Sequence, residues 1–137
     1  SVHIANMGFQ VTAVEKISWL YEVMKNELDL AKLGDSVLEN INLQNGDSLE
    51  LAEKMRPDVI YFDPVFDLKK KAIAKQPMEL LRSITLDKNP QDCIEHLLDC
   101  CSERLIYKRH KKQKSTLQKF ITFSVTGKSV AFDVYQK

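Results

Sequence analysis

Short β-branched runs alternate with helical periods along most of this chain, and that alternation restricts its fold more than any other feature. Phe9–Val14 (F-Q-V-T-A-V) has strand composition, and Ile17–Leu33 carries Leu20, Val23, Met24, Leu28 and Leu33 near helical spacing before Gly34. Asn40–Gln44 is expected as a short strand closed by Asn45-Gly46-Asp47-Ser48, Leu49–Met55 as a brief helix and Asp58–Phe62 as a strand. Further on come a helix over Met78–Ile84, a helix over Pro90–Glu103 with proline in its first turn, and a strand over Leu105–Tyr107. Phe120–Val125 and Ser129–Tyr135 alternate as two strands around Thr126-Gly127-Lys128, a hairpin. Strands alternating with helices form a parallel sheet covered on both faces, so the chain is expected to be α/β, mostly parallel, with an antiparallel element at its C-terminal end.

With 137 residues, 44% hydrophobic and 28% charged, one globular domain with a real core is expected over 1–137. No apolar run reaches the ~18 residues of a membrane span, and no charged-then-apolar leader stands at Ser1, so no signal peptide is expected. Cys93, Cys100 and Cys101 sit on one expected helix, an arrangement that argues against a disulfide framework and for a reducing, cytoplasmic setting. No metal site is expected, because His3, His96 and His110 are scattered and no paired Cys-x-x-Cys is present. The net charge of +1 conceals a split: residues 1–58 hold ten acids and five bases, and no acid interrupts Arg104–Lys119. A one-sided basic surface of this kind fits an anionic partner.

Ligands of open α/β sheets lie outside the carboxyl ends of the strands, so the residues that follow each strand are the candidates. Glu15, with Lys16 beside it, ends the first strand, and its carboxylate suits a ribose diol or equally the dipole of the next helix. Asp47 and Ser48 follow a strong turn signal, where an acid suits either an adenine amine or an N-cap. Asp63-Pro64-Val65-Phe66 is the sharpest of the four. An amine that attacks an electrophilic carbon needs its N–H groups held by a carboxylate and a carbonyl; Pro64 stiffens such a turn and Phe66 offers a face for a flat ring. The plainer alternative is a turn capped by Asp63 with Phe66 in the core. Lys69, Lys71, Lys108 and Arg109 form a basic flank, either a phosphate footprint or a solvated face.

These positions resemble class I S-adenosylmethionine-dependent methyltransferases, and within them the small-subunit ribosomal RNA guanine-N2 methyltransferases designated J. The resemblance runs from near Ser1 to near Lys137 and rests on V-T-A-V-E, D-V-I-Y-F-D-P-V-F, the lysines at 69 and 71, and Tyr107-Lys108-Arg109. It implies a Rossmann-like sheet and methyl transfer from S-adenosylmethionine to a guanine amine of ribosomal RNA or the small ribosomal subunit. It also implies that Glu15, Lys16, Asp47, Ser48 and Asp63 serve the cofactor. Asp63, Pro64 and Phe66 would present the target base, and Lys69, Lys71, Lys108 and Arg109 would contact RNA.

The chain departs from the family at Val65, where the family has Met, and at His110, where it has Pro. It also lacks the glycine-rich loop that follows the first strand of such sheets, having only Gly8, Gly34, Gly46 and Gly127. The expectation is therefore a sheet without its first strand, with that strand and loop ahead of Ser1, and a segment that by itself binds cofactor weakly and is inactive. Two other functions fit part of the pattern. A nicotinamide-dependent oxidoreductase accounts for Glu15 but not for D-P-V-F, and a non-enzymatic RNA-binding or degenerate module accounts for the missing glycines.

Overall fold

The computed structural model describes residues 1–63, 90–115 and 117–137, which form two compact units divided between Lys54 and Met55. The expected helix over Met78–Ile84 lies outside the described residues.

The first unit begins with α1 (Val2–Asn6), β1 (Val11–Glu15) and α2 (Ser18–Lys32). A 3-10 turn (Ser36–Asn40), β2 (Ile41–Asn45) and α3 (Ser48–Met55) follow. β1 and β2 are parallel, with Val11 opposite Ile41 and Glu15 opposite Asn45. Ala5, Leu38 and Ile41 are buried together, with Val11, Leu28 and Val37 packed against them. On α2 the half-buried stripe runs through Leu20, Tyr21 and Leu28 from buried Ile17, whereas Val23 and Leu33 are exposed. At about 100° per residue those two fall more than 100° from the middle of the stripe, so their apolar character does not mark the core face. The 3-10 turn has no counterpart in the sequence reading; Asp35 caps it, accepting from the Val37 N–H at 2.9 Å.

The second unit holds β3 (Val59–Phe62), α4 (Pro90–Cys100), β4 (Arg104–His110), a 3-10 turn (Gln118–Phe120), β5 (Phe123–Thr126) and β6 (Val130–Gln136). Its sheet has the order β3-β4-β6-β5, with β3 parallel to β4 and both other pairings antiparallel. α4 packs on β4. Ile94, Leu97, Cys100 and Cys101 are buried, as are Leu105, Tyr107 and Tyr135. Helix and strand are joined tightly: the backbone N–H groups of Ser102 and Glu103 donate to Pro57 and Asp58 carbonyls, which starts β4 level with β3. Lys137 Nζ donates to the carbonyls of Asp99 and Cys101 at 3.2 and 2.8 Å, satisfying acceptors that a helix end leaves open.

The ends of β1, β2 and β6 differ from expectation by one or two residues and α4 stops at Cys100 rather than Glu103, while two other boundaries bear on the site. β4 runs to His110 rather than ending at Tyr107, because β6 pairs with it along its whole length, from Arg104–Gln136 to His110–Val130. Lys108 and Arg109 are thus strand residues, pointing to opposite faces. β5 begins at Phe123, since residues 118–120 are taken by the 3-10 turn. The hairpin itself is as expected, closed by the Gly127 N–H on the Val130 carbonyl at 2.8 Å.

Candidate functional site

The first cluster lies at the carboxyl ends of β1 and β2. Glu15 Oε1 accepts from the Ile17 N–H at 2.8 Å, so the strand-end acid also starts α2. The Glu15 carbonyl accepts from Asn45 Nδ2 at 2.8 Å and from the Gly46 N–H at 3.1 Å, which locks the two strand ends together. Asp47 Oδ1 accepts from the Leu49 N–H at 2.9 Å, an N-cap for α3, while Oδ2 lies 3.4 Å from Lys16 Nζ. Ser48, the first residue of α3, is exposed. Gly46 has φ +157°, and a Cβ there would stand 3.2 Å from Leu51 Cδ1, so the turn admits little besides glycine. Glu15, Lys16, Asp47 and Ser48 are therefore neighbours along two adjacent strand ends. Each carboxylate spends one oxygen on the backbone, and about four acceptor sites per carboxylate leave capacity for hydroxyl or amino donors. This donor set fits a nucleoside. Asn45, which also accepts from the Ser18 hydroxyl at 3.3 Å, is part of the cluster although the sequence reading gave it only a turn.

The second cluster lies at the carboxyl end of β3. Asp63 directly follows Phe62, and its Oδ2 accepts from Lys108 Nζ at 2.7 Å. The strand register accounts for the meeting: Phe62 is opposite Tyr107, with their rings stacked 5.8 Å apart, so the next residue of each strand falls level. Tyr61 contacts the Phe132 ring at 6.5 Å. Burial pushes the Tyr61 hydroxyl above its ordinary pKa and the Asp63 charge adds to this, while Lys108 opposes it. Pro64, Phe66, Lys69 and Lys71 lie outside the described residues.

Arg109 takes a different position from the one expected of an RNA contact. It is 8% exposed; Nε and Nη2 donate to the two oxygens of Asp133 at 2.6 and 3.1 Å, and Nη1 donates to the Gln113 carbonyl at 2.8 Å. Asp133 is fully buried and also accepts from the Ser124 hydroxyl at 2.7 Å. The pleat separates the Lys108-Arg109 pair: Lys108 holds Asp63, and Arg109 holds Asp133 from the opposite face. Asp133 was not singled out in sequence, although an acid within V-A-F-D-V-Y is the mark of a buried, paired charge. Beyond β4, Lys111, Lys112 and Lys114 are exposed on the turn whose Gln113 carbonyl Arg109 holds.

Residues 1–137, the whole chain, match the model of the family described as "Putative SAM-dependent methyltransferase". The chain belongs to this family of S-adenosylmethionine-dependent methyltransferases. Its similar relatives include proteins called ribosomal RNA small subunit methyltransferase J. The one from Dechloromonas aromatica is 30% identical, covering 98% of this chain and 58% of its own length. Those from Colwellia psychrerythraea and Bdellovibrio bacteriovorus are 29% and 30% identical over 98% of this chain, and 52% and 55% of their own lengths. This methyltransferase chain thus spans little more than half the length of those relatives. Among solved structures it is similar to a SAM-dependent methyltransferase from Neisseria gonorrhoeae, with a TM-score of 0.71 at 22% identity over 98% of this chain and 55% of that one. That likeness shows the Rossmann-like fold that the family resemblance implies. Among the described residues, no group of His, Cys, Asp and Glu is placed to hold a metal ion, and no helix is long and apolar enough to cross a membrane.

Proposed function

We propose that the full-length protein transfers a methyl group from S-adenosylmethionine to the exocyclic N2 amine of a guanine in small-subunit ribosomal RNA, in the cytoplasm, and that 1–137 belongs to a single catalytic domain. The observation that carries this is Asp63: an acid bonded by Lys108 at the carboxyl end of a parallel strand, in a chain of the methyltransferase family, followed in sequence by Pro64 and an aromatic. The names of the relatives support ribosomal RNA as the substrate.

S-adenosylmethionine, when bound, supplies a methyl carbon activated by the adjacent sulfonium. Glu15 accepts from its ribose hydroxyls, and Asp47, beside Ser48 and Lys16, accepts from its adenine amine; both acids are already anchored by backbone N–H groups, which lessens the ordering that binding requires. Asp63 and Pro64 would orient the guanine amine for attack, and Phe66 would stack on the base. No protein base is required at this point, because the methylated amine would lose its proton to water. Lys69 and Lys71 contact RNA phosphates, joined by the exposed lysines of the β4 turn. The guanidinium of Arg109 belongs to the frame of that turn, through the Gln113 carbonyl.

The test is transfer of labelled methyl by the full-length protein to small-subunit RNA lacking the modification. Asp63→Ala is expected to abolish transfer at the guanine amine; wild-type activity in that variant, or label at another atom, overturns the assignment.

A further inference from the structure

Lys108 is one of four cations that sequence reasoning assigned to RNA, and its ammonium is engaged by an acid of this chain. It reaches along the sheet end to Asp63 Oδ2 at 2.7 Å, with 27% of its side chain and 39% of that of Asp63 exposed. Among the described residues, the side chain that bonds Asp63 is Lys108, and Asp63 itself stands just past the last strand position of β3. Lys108, by contrast, is inside β4, which pairs on both sides, with β3 through Phe62–Tyr107 and with β6 through Lys108–Phe132. The rigid partner therefore orients the less constrained one.

We propose that Lys108 is a positioning residue for the methyl-transfer site: it holds one oxygen of Asp63 so that the remaining acceptor capacity of the carboxylate faces the target amine. This rests on the reading of Asp63 as the group that orients the amine. A carboxylate has about four acceptor sites, so one charge-assisted bond on Oδ2 leaves room for an amine N–H. The hydrogen bond to Asp63 also raises the Lys108 pKa above its ordinary value, so the ammonium stays charged to a higher pH than that of a free lysine. The two members of the Lys108-Arg109 dipeptide act alike, each fixing an acid, one at the site and one in the core.

The distinguishing experiment uses the full-length protein with undermethylated small-subunit RNA, measuring kcat, KM for RNA and the salt dependence of RNA binding. Lys108→Met is expected to lower kcat about 10- to 100-fold, the loss that accompanies a misplaced reacting group, with KM and salt slope little changed. Lys108→Arg, which retains a cation able to reach the carboxylate, is expected to recover part of that kcat. Loss of RNA affinity with a salt slope shallower by about one, at unchanged kcat, would make Lys108 a phosphate contact and overturn the proposal. Asp63→Ala, run in parallel, separates the two readings. Full activity in Asp63→Ala removes the role of Asp63 itself. An inactive Asp63→Ala beside a wild-type kcat in Lys108→Met removes only the role of Lys108. An exposed pair of this kind adds little to stability, so Lys108→Met folds, and an unchanged urea midpoint shows that the kcat loss is not one of folding.

Discussion

Asp133→Ala should be among the most damaging single changes available in the second unit. Asp133 is fully buried and accepts hydrogen bonds from Arg109 Nε at 2.6 Å, Arg109 Nη2 at 3.1 Å and Ser124 Oγ at 2.7 Å, with Ser115 bonded to it as well. Removing it leaves a guanidinium that is 8% exposed without its counter-ion. Breaking a buried pair from one side costs about 3–5 kcal/mol, a large part of the roughly 5–15 kcal/mol that holds a domain together. With about 4 °C per kcal/mol, where the ranges for smaller and larger domains meet, the melting temperature falls by roughly 12–20 °C. Urea unfolding followed by circular dichroism measures the loss directly. Asp133→Asn keeps the shape and some of the hydrogen bonds, and its loss should be smaller, about 1–3 kcal/mol. Arg109→Met combined with Asp133→Leu removes both charges and should regain most of the stability, since a buried pair replaced by apolar side chains of similar size is often neutral. A loss below about 1 kcal/mol in Asp133→Ala, or a double-mutant cycle with no coupling, would mean that the pair behaves as a surface contact and would refute the reasoning.

Two more outcomes follow from the same geometry. Burial pushes the Asp133 carboxyl up, but the hydrogen bonds from Arg109, Ser124 and Ser115 outweigh it and hold its pKa below 3.8. A carboxyl lowered by folding contributes stability that is complete above its unfolded value near ~3.9 and lost as pH falls through the folded value; the urea midpoint should therefore drop below about pH 4, less steeply in Asp133→Asn, and an identical acid profile in that variant would exclude Asp133 as the cause. At the other unit, Asp47→Ala should cost about 1 kcal/mol through loss of the α3 cap while Asp47→Asn stays near wild type, because Asn caps as well as Asp; equal losses in the two would show that the charge facing Lys16, rather than the cap, is what stabilises.

Local patterns were enough to place most elements and the first cluster. The β-branched run at Val11–Glu15, the Asn45-Gly46 turn and the apolar run at Val59–Phe62 act through nearest-neighbour sterics and hydrogen bonds within a few residues, so they are legible without a fold. The strand-end acids Glu15, Asp47 and Asp63 were legible for the same reason, because the carboxyl end of a strand is a position along the chain. Pairing partners are a different matter. Lys108-Arg109 reads as one basic patch, and only the period-two pleat of β4, extended to His110 by β6, turns the two cations to opposite faces and gives each an acid. Asp63 and Lys108 are 45 residues apart, and Arg109 and Asp133 are 24 apart. Such contacts depend on strand order and register, which follow from how the whole apolar surface is buried and not from any short stretch. The sequence by itself determined that this chain alternates strand and helix and carries acids at its strand ends; the tertiary structure decided which cation each acid meets, because long-range charge pairing is set by sheet register.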